Sequence, residues 1–309
     1  MIINTGQRTD IPAFYSRWFI NRLKAGFVLV RNPYRPQSVT RYSLSPDVVD
    51  IIGFCIKNPA PMLPHMDLLK PYGQFWYVTI TPYGREIEPC VPAKKAVLEN
   101  FIRLSDAVGI DSVGWRYDPI FISETYPVER HVRAFEYMAK TLSGYTRIAV
   151  ISFIDLYEKT RRNFPEARAV TAEERVTLGK AFAEIGRQYG MTVKACAEGK
   201  DLAPYDIDCA GCMTVAMYEQ ALHRRLKVPS KAPARAECAC YLGGDIGAYN
   251  TCGHLCRYCY ANCDAETVHR NMAAHDPDSP LLVGHLMQGD VVHEPPQASW
   301  TDNQLMMDI

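Results

Sequence analysis

Short β-rich segments alternate with amphipathic helical segments along most of the chain, and this alternation restricts the possible folds more than any other feature. Strands are predicted near residues 2–5, 27–31, 50–56, 75–81, 112–117, 147–153 and 191–196, with an eighth candidate at 245–250. Strands that are separated by helices pair in parallel through right-handed crossovers. The pattern therefore predicts an α/β fold, either a (β/α)8 barrel or a closely related partial TIM-type barrel, with a doubly wound open sheet as the competitor.

Capping and proline signals predict helices between these strands. Asp10 can cap a helix that has Pro12 in its first turn and ends before Gly26, and Ser45-Pro46 opens a short helix. Further helices are predicted from Pro92 to Gly109, from Pro127 to near Gly144, from the capping box of Thr171 and Glu174 to Gly190, and over residues 213–225 and 264–274.

These elements predict one barrel over residues 1–275, interrupted by a cysteine-rich insertion at about 197–244. Within the insertion, residues 226–237 have the weakest structural signals. Residues 276–309 are rich in Pro and Asp, which predicts an irregular tail packed on the barrel. With 309 residues, of which 48% are hydrophobic, the chain is long enough to bury a full core.

The charges of the chain balance, with 34 Lys and Arg against 34 Asp and Glu. A neutral chain lacks the long-range positive field on which non-specific nucleic-acid binding depends, so such a partner would need a local basic patch. The first residues lack the pattern of a secretion signal, and no apolar run approaches the roughly 18 residues of a membrane span. We therefore expect a soluble cytoplasmic protein without a membrane partner.

Charged residues follow several of the apolar strands. In a parallel barrel these strand ends face one mouth, where loops assemble the active site. We expect Arg31, Lys57 and Arg116 to form an anion-binding pocket there, with Asp118 and Asp155 opposite. Each of these residues taken singly could instead cap a helix or form a turn.

Cysteine is concentrated late in the chain, where nine of the eleven lie between residues 196 and 263. Clustered thiols in a chain without a secretion signal favour metal binding over disulfides. Cys252, Cys256 and Cys259 have the spacing C-x3-C-x2-C directly after the eighth predicted strand. Three thiolates on one loop can bind three irons of a [4Fe-4S] cluster and leave the fourth iron open. A zinc ion bound by the same cysteines and His254 is the alternative.

This cysteine triplet resembles the loop of the radical S-adenosylmethionine (SAM) superfamily, in which an aromatic residue precedes the third cysteine, as Tyr258 does here. The resemblance implies that SAM binds the open iron through its amino and carboxylate groups. It also implies that the reduced cluster cleaves SAM to methionine and a 5′-deoxyadenosyl radical, which abstracts hydrogen from a substrate. Tyr258 would then lie near the adenine, and Thr9 and Asp10 near the SAM amino group. A reductant such as flavodoxin or ferredoxin would be a partner.

In most of that superfamily the triplet follows the first strand, whereas here it follows the last. A circular permutation reconciles the two positions, because the first and last strands of a closed barrel are neighbours. The whole chain also resembles a bacterial radical-SAM-like family known mainly as a domain of unknown function. The matching segments are RTDIPAFYS at 8–16, VRNPY at 30–34, TPYG at 81–84, WRYDP at 115–119, ISFIDLY at 151–157 and DIGAYNTC at 245–252.

Four other cysteines predict a second metal site. Cys196, Cys212, Cys238 and Cys240 are sufficient to bind an auxiliary [4Fe-4S] cluster or a structural zinc ion. A second cluster would relay electrons or bind substrate, whereas a purely structural metal would tie the insertion to the barrel.

Together these features predict a radical SAM enzyme, an oxidoreductase or lyase, that acts on an unidentified small-molecule or peptide substrate. The catalytic candidates at the mouth are Tyr83, Arg116, Asp118 and Asp155. Tyr83, Cys55 and Tyr117 are also candidates for returning hydrogen to the substrate. The rivals are a non-catalytic iron-sulfur or zinc-binding protein and, less consistent with the neutral charge, a nucleic-acid repair or modification enzyme resembling spore photoproduct lyase.

Overall fold

The computed structural model describes residues 1–231 and 238–302, which form two β-sheets flanked by helices. The strands are β1 (Ile2–Asn4), β2 (Phe27–Arg31), β3 (Ser38–Ser43), β4 (Ile51–Ile56), β5 (Gly73–Thr79), β6 (Val113–Ile120), β7 (Ile148–Phe153), β8 (Thr192–Ala195), β9 (Gly244–Asp245) and β10 (Val291–His293). The α-helices are α1 (Ile11–Phe14), α2 (Ser16–Ala25), α3 (Lys94–Val108), α4 (Val128–Leu142), α5 (Glu158–Asn163), α6 (Ala172–Gln188), α7 (Val215–Leu222) and α8 (Ala265–Ala273).

The larger sheet contains seven strands in the order β8-β7-β6-β5-β4-β1-β9, and every neighbouring pair is parallel. Its central strands are nearly continuous apolar runs, such as IIGFCI in β4 and IAVISF in β7. Such runs are typical of strands that are buried on both faces. Helices α4 and α6 pack against each other, and their inward rings of Phe135 and Phe182 stack 4.1 Å apart beside the sheet.

Most helices begin and end where the sequence predicts. Thr171 accepts a hydrogen bond from the Glu174 N–H while the Glu174 side chain accepts one from the Thr171 N–H, so the predicted capping box opens α6. The helix predicted after Asp10 is divided at Tyr15 into α1 and α2 and ends at Gly26, whose positive φ of 75° is readily adopted by glycine. The helix predicted at Ser45-Pro46 is wrong, because these residues form a turn.

The structure corrects the prediction for residues 27–31. The sequence predicts β2 as a strand of the barrel, but β2 pairs antiparallel with β3, and β10 from the C-terminal region pairs with β3 on its other side. The connection from β2 to β3 has six residues, which is too short for the crossover that a parallel pair needs. It turns back at Asn32, whose side-chain oxygen accepts the N–H groups of Tyr34 and Arg35.

The seven-stranded sheet is open, and a closed barrel is not seen: β8 and β9 are its two edges and, in the described part of the chain, do not pair with each other. The last strand, β9, pairs with the first, β1, through Ile3 beside Gly244 and Asn4 beside Asp245. Because the carboxyl ends of parallel strands share one edge of a sheet, this pairing brings the cysteine-rich loop after β9 next to the segment after β1. No helix in residues 1–231 or 238–302 is long and apolar enough to cross a membrane.

Candidate metal and substrate site

A cavity of about 470 Å³ lies at the carboxyl edge of the seven-stranded sheet. Its wall contains residues in or just after β1, β4, β5, β6, β7 and β8, together with parts of both cysteine groups. Sites for small molecules usually have volumes of roughly 300–1,000 Å³. The predicted convergence of strand ends on one mouth is therefore observed, although the sheet that supplies them is open.

The cysteine triplet lies on a tight loop after β9, within reach of this cavity. The loop turns at Asn250 and Leu255, which both have positive φ angles. It is tied internally by the N–H of Cys259, which donates to the Cys256 carbonyl at 3.0 Å. The Cys256 side chain is buried, and Cys259 forms part of the cavity wall. The loop thus presents its third cysteine to the space at the sheet edge.

The thiols of the triplet lie in surroundings that disfavour free thiolates. Burial raises the pKa of Cys252 to about 12 and raises the pKa of Cys256 well above its ordinary value. The charge of Lys57 opposes the effect of burial at Cys256, and both Lys159 and Lys57 oppose it at Cys259. A metal cation is the kind of group that converts such thiols to thiolates, and its binding would release their protons.

The sulfur spacing distinguishes the triplet from a single-ion site. Among the described residues, one group of three metal-binding side chains has all its ligand atoms within 4.8 Å of one another, and that group is Cys196, Cys212 and Cys240. The triplet is not such a group. In a [4Fe-4S] cluster each thiolate binds a different iron, so the sulfurs lie further apart than around one ion. The three thiols of the triplet can therefore serve as ligands to three different irons, whereas their spacing does not match a single-ion site.

His254, the fourth zinc ligand in the alternative interpretation, has both ring nitrogens engaged. Its Nε2 lies 2.9 Å from an Asp10 carboxylate oxygen, and its Nδ1 lies 3.3 Å from the Cys90 carbonyl oxygen. The side chain is also 2% exposed. A histidine held in this way is not available to complete a tetrahedral zinc site with the triplet.

Tyr258, the aromatic residue before the third cysteine, forms part of the cavity wall and belongs to a buried polar network. Its hydroxyl donates to Glu88, which also accepts hydrogen bonds from Thr81 Oγ1 and Lys57 Nζ, each at 2.8 Å, and from Lys94. Burial alone would raise the pKa of Glu88, but the two lysines lower it to about 2. The ionised Glu88 therefore fixes both Tyr258 and Lys57 beside the triplet.

Three of the four cysteines predicted for the second site, Cys196, Cys212 and Cys240, lie close together. Cys212 Sγ lies 3.2 Å from Cys196 Sγ and 3.3 Å from Cys240 Sγ. Hydrogen bonds from the Cys212 and Cys240 thiols, together with the Arg116 charge, lower the pKa of Cys196 well below its ordinary value. Cys238 is buried and lines the same cavity, but its sulfur lies outside the group.

Four of the five charged residues predicted at the mouth line the cavity, namely Lys57, Arg116, Asp118 and Asp155. Arg116 pairs with Asp118 and also donates to Cys212 Sγ at 3.4 Å. Lys57 pairs with Glu88 at 2.8 Å, and its charge acts on Cys256. Asp155 lines the cavity and accepts a hydrogen bond from the Tyr157 hydroxyl at 3.0 Å.

The structure corrects the placement of Arg31 and Tyr83. Arg31 lies on β2 in the smaller sheet, where it forms two 2.6 Å hydrogen bonds to Asp290, so it does not belong to the cavity wall. Tyr83 is buried behind the cavity, donating to the Pro119 carbonyl at 2.7 Å and stacking on Phe121. Of the three candidates for returning hydrogen, Cys55 lines the cavity, whereas Tyr83 and Tyr117 do not.

Thr9 and Asp10 lie on the cavity wall after β1, as predicted. They differ in whether their side chains have hydrogen-bond partners. Asp10 accepts the N–H groups of Ala13, Lys57 and Asn58 and faces His254, so its carboxylate is fully occupied. Thr9 Oγ1 is buried without a hydrogen-bond partner, and so is Gln7 Nε2 nearby. Buried polar atoms without partners are uncommon, and in a cavity wall they suit a bound ligand.

Sequence reasoning missed Glu88 and Gln7. Glu88 follows the TPYG segment in a loop, and nothing in its local sequence shows that two lysines and Tyr258 converge on it. Gln7 lies directly before Arg8 in the RTDIPAFYS segment, so its position after β1 was the available signal.

Comparison with known proteins places the chain in a sequence family. The model of a family described as "Domain of unknown function (DUF1848)" matches residues 2–261. The matched range contains both cysteine groups and every strand end that contributes to the cavity. No curated protein matches the chain.

Proposed function

We propose that this chain, which belongs to the DUF1848 family of domains of unknown function, is an enzyme that binds a [4Fe-4S] cluster through Cys252, Cys256 and Cys259 and uses it to cleave SAM. When bound, such a cluster supplies the electron that breaks a C–S bond of SAM to give methionine and a 5′-deoxyadenosyl radical. The substrate would be an unidentified small molecule or peptide that occupies the rest of the cavity.

One observation carries the proposal: three thiols whose sulfurs are not grouped around a single point lie on a loop that opens into a cavity of small-molecule size. The nearest histidine, His254, is occupied by Asp10 and Cys90. His254 is therefore not available as the fourth ligand that would close a structural zinc site.

The residues around the triplet have the chemistry that a SAM site needs. Tyr258 offers an aromatic ring on the cavity wall, and Glu88 fixes the orientation of that ring through its hydroxyl. The unpartnered Thr9 Oγ1 and Gln7 Nε2 can form hydrogen bonds to the polar amino acid part of SAM. Lys57 lowers the electrostatic cost of collecting thiolates, because its ammonium lies close to Cys256 and Cys259.

The strand order also supports the proposal. From β9 through β1 to β8 the strands of the larger sheet follow a barrel-like succession, without the reversal of order that defines a doubly wound sheet. The triplet strand comes last in the chain but lies beside the first strand in space. This is the arrangement expected for a permuted partial TIM-type barrel, in which the triplet strand has moved to the end of the chain.

A SAM cleavage assay tests the proposal. Protein reconstituted anaerobically with iron and sulfide is reduced with dithionite, and 5′-deoxyadenosine and methionine are measured after SAM is added. We expect both products from the unaltered protein and from Cys263→Ala, since the Cys263 thiol of the same loop bonds to Asp264 instead. Cys256→Ala should form neither product. Equal SAM cleavage in Cys256→Ala, or no cleavage in iron-loaded unaltered protein, would overturn the proposal.

A further inference from the structure

A second candidate metal site, separate from the triplet, opens into the same cavity. Cys196 follows β8, Cys212 lies in the loop before α7, and Cys240 lies just before β9, so three distant segments bring their thiols together. Cys196 and Cys212 are 5% and 2% exposed. Because all three residues line the cavity, a ligand bound there would be exposed to its interior.

The distances between these sulfurs indicate a single ion. Cys212 Sγ lies 3.2 Å and 3.3 Å from its two neighbours, and all three sulfurs lie within 4.8 Å of one another. Thiolates around a tetrahedral zinc ion, each at about 2.3 Å, are separated by about 3.8 Å. The sulfurs of a cubane cluster bind different irons and lie further apart. Of the two metals that the sequence predicts for these cysteines, the observed spacing favours a single zinc ion over an auxiliary cluster.

The fourth coordination position is not filled from the described residues. Cys238 is the natural candidate, but its sulfur does not join the group, and no His, Asp or Glu among residues 1–231 and 238–302 does so. Zinc sites with three protein ligands and an open position are typical of sites that bind a substrate, whereas structural sites have four. A closed structural role is thus disfavoured by the ligand count.

The polar groups around the sulfurs are those expected of a metal-thiolate site. The Arg116 guanidinium donates to Cys212 Sγ at 3.4 Å, and the Met213 N–H donates to Cys240 Sγ at 3.3 Å. Both interactions stabilise negative charge on sulfur, and such outer-sphere contacts tune the bound metal. Three thiolates with a divalent ion carry a net charge of −1, which the nearby guanidinium, itself paired with Asp118, offsets in part.

We infer that Cys196, Cys212 and Cys240 bind one zinc ion whose open position takes the sulfur of a thiol substrate, with the thiol proton released to solvent. Thiolate ligation makes the site soft, and a soft site prefers a sulfur ligand over oxygen or nitrogen. Since the ion and Cys259 border one cavity, a thiol held at the ion would be presented to the chemistry at the triplet. The substrate assignment rests on the proposed function, whereas zinc binding does not.

Cobalt substitution tests the inference without SAM chemistry. Full-length protein carrying Cys252→Ser, Cys256→Ser and Cys259→Ser is titrated with Co²⁺, whose sulfur charge-transfer and visible bands report the number of thiolates and the geometry. The thiol probe is 2-mercaptoethanol. We expect about one Co²⁺ per chain with a three-sulfur tetrahedral spectrum that changes to a four-sulfur spectrum when the thiol is added.

Single variants in the same background identify the ligands. Cys212→Ser should weaken Co²⁺ binding at least roughly tenfold, whereas Cys209→Ser should not, since the Cys209 thiol in the same loop faces the Ile207 carbonyl. Circular dichroism checks that both variants are folded. Unchanged binding in Cys212→Ser, or a spectrum that does not respond to thiol, would overturn the inference. A four-sulfur spectrum before thiol addition that is lost in Cys238→Ser would also overturn it, because the site would then be closed.

The two experiments can refute the proposed function and the zinc site independently of each other. Loss of SAM cleavage in the unaltered protein would refute the proposed function but leave Co²⁺ binding by Cys196, Cys212 and Cys240 intact. Absence of Co²⁺ binding in the triplet variant would refute the zinc site while SAM cleavage by unaltered protein continued.

Discussion

The Nε2 atom of His254 lies 2.9 Å from a carboxylate oxygen of Asp10, although 244 residues separate them in the chain. His254 belongs to the cysteine loop after β9, and Asp10 caps α1 directly after β1. The contact fixes the loop against the first helix and explains how a triplet late in the sequence comes to lie beside the first strand. It also occupies the histidine that a zinc site would need.

Replacing His254 distinguishes a structural histidine from a metal ligand. We expect His254→Gln to lower the free energy of unfolding by about 1–3 kcal/mol, because a buried hydrogen bond to a carboxylate is weakened. The iron content after anaerobic reconstitution should stay that of the unaltered protein. The same substitution at exposed His269 is the control and should change neither quantity. Loss of metal in His254→Gln would show that the histidine is a ligand.

The Glu88 carboxylate is the counter-charge of two lysines, Lys57 and Lys94. Glu88→Gln keeps the shape of the side chain but leaves the partly buried ammonium groups of Lys57 and Lys94 without a counter-charge. We expect the free energy of unfolding in urea to fall by about 3–5 kcal/mol. Glu99→Gln on the exposed face of α3, where Lys95 is a distant partner at 4.0 Å, should cost less than about 1 kcal/mol. Similar small losses for both variants would contradict the role assigned to Glu88.

His131 makes stability depend on pH. Burial lowers its pKa to about 4, and its Nε2 lies 2.8 Å from the Phe121 carbonyl oxygen, so Nε2 carries the proton and Nδ1 accepts from the Tyr117 hydroxyl. The unfolded chain binds a proton near pH 6.5 and the folded chain does not, so stability falls as pH drops from about 6.5 towards 4.

This effect can be measured by urea unfolding at two pH values. Because His131 takes up a proton in the unfolded chain, the free energy of unfolding should fall by about 2 kcal/mol between pH 7 and pH 5. His131→Asn should be less stable at pH 7 but should lack that part of the pH dependence. An unchanged pH slope in His131→Asn would show that another group causes it.

Arg116 contacts Cys212 of the proposed zinc site. Lysine cannot contact both the Cys212 sulfur and Asp118 with the planar fork that arginine uses. We expect Arg116→Lys to weaken Co²⁺ binding at Cys196, Cys212 and Cys240 by roughly 10–100-fold. Arg147→Lys, in an exposed pair with Asp111, is the control and should leave the affinity unchanged. Equal affinities in the two variants would contradict a role for Arg116 in tuning this site.

The central part of the fold could be predicted because its signals are local. Strands β1 and β4 to β8 begin within two residues of the predicted positions, since each is a run of apolar residues between helical segments. Strands β3 and β10 gave no such signal. In β3 only Val39 is buried, and all three residues of β10 are exposed, so both depend on pairing with neighbours distant in the chain.

The residues of the site that follow parallel strands of one sheet could be predicted from the sequence. Lys57 and Arg116 follow parallel strands of one sheet and meet at one cavity. The same rule failed for Arg31, because its strand belongs to the other sheet, and sheet membership is decided by pairing that spacing does not reveal. The cysteine pattern likewise predicted a group that contains Cys196, Cys212 and Cys240, whose sulfurs do lie together. It did not predict the position of Cys238, which depends on the folded path of the insertion.

The most direct test of the central claim is electron paramagnetic resonance of the reduced, reconstituted protein with and without SAM. A [4Fe-4S] cluster held by Cys252, Cys256 and Cys259, whose fourth iron has an open coordination position, should give a reduced-cluster signal that shifts when SAM binds. The signal should be absent in a Cys252→Ala, Cys256→Ala, Cys259→Ala variant that still binds Co²⁺ through the other three cysteines. A reduced-cluster signal that SAM leaves unchanged, or one that survives loss of the triplet, would contradict the account.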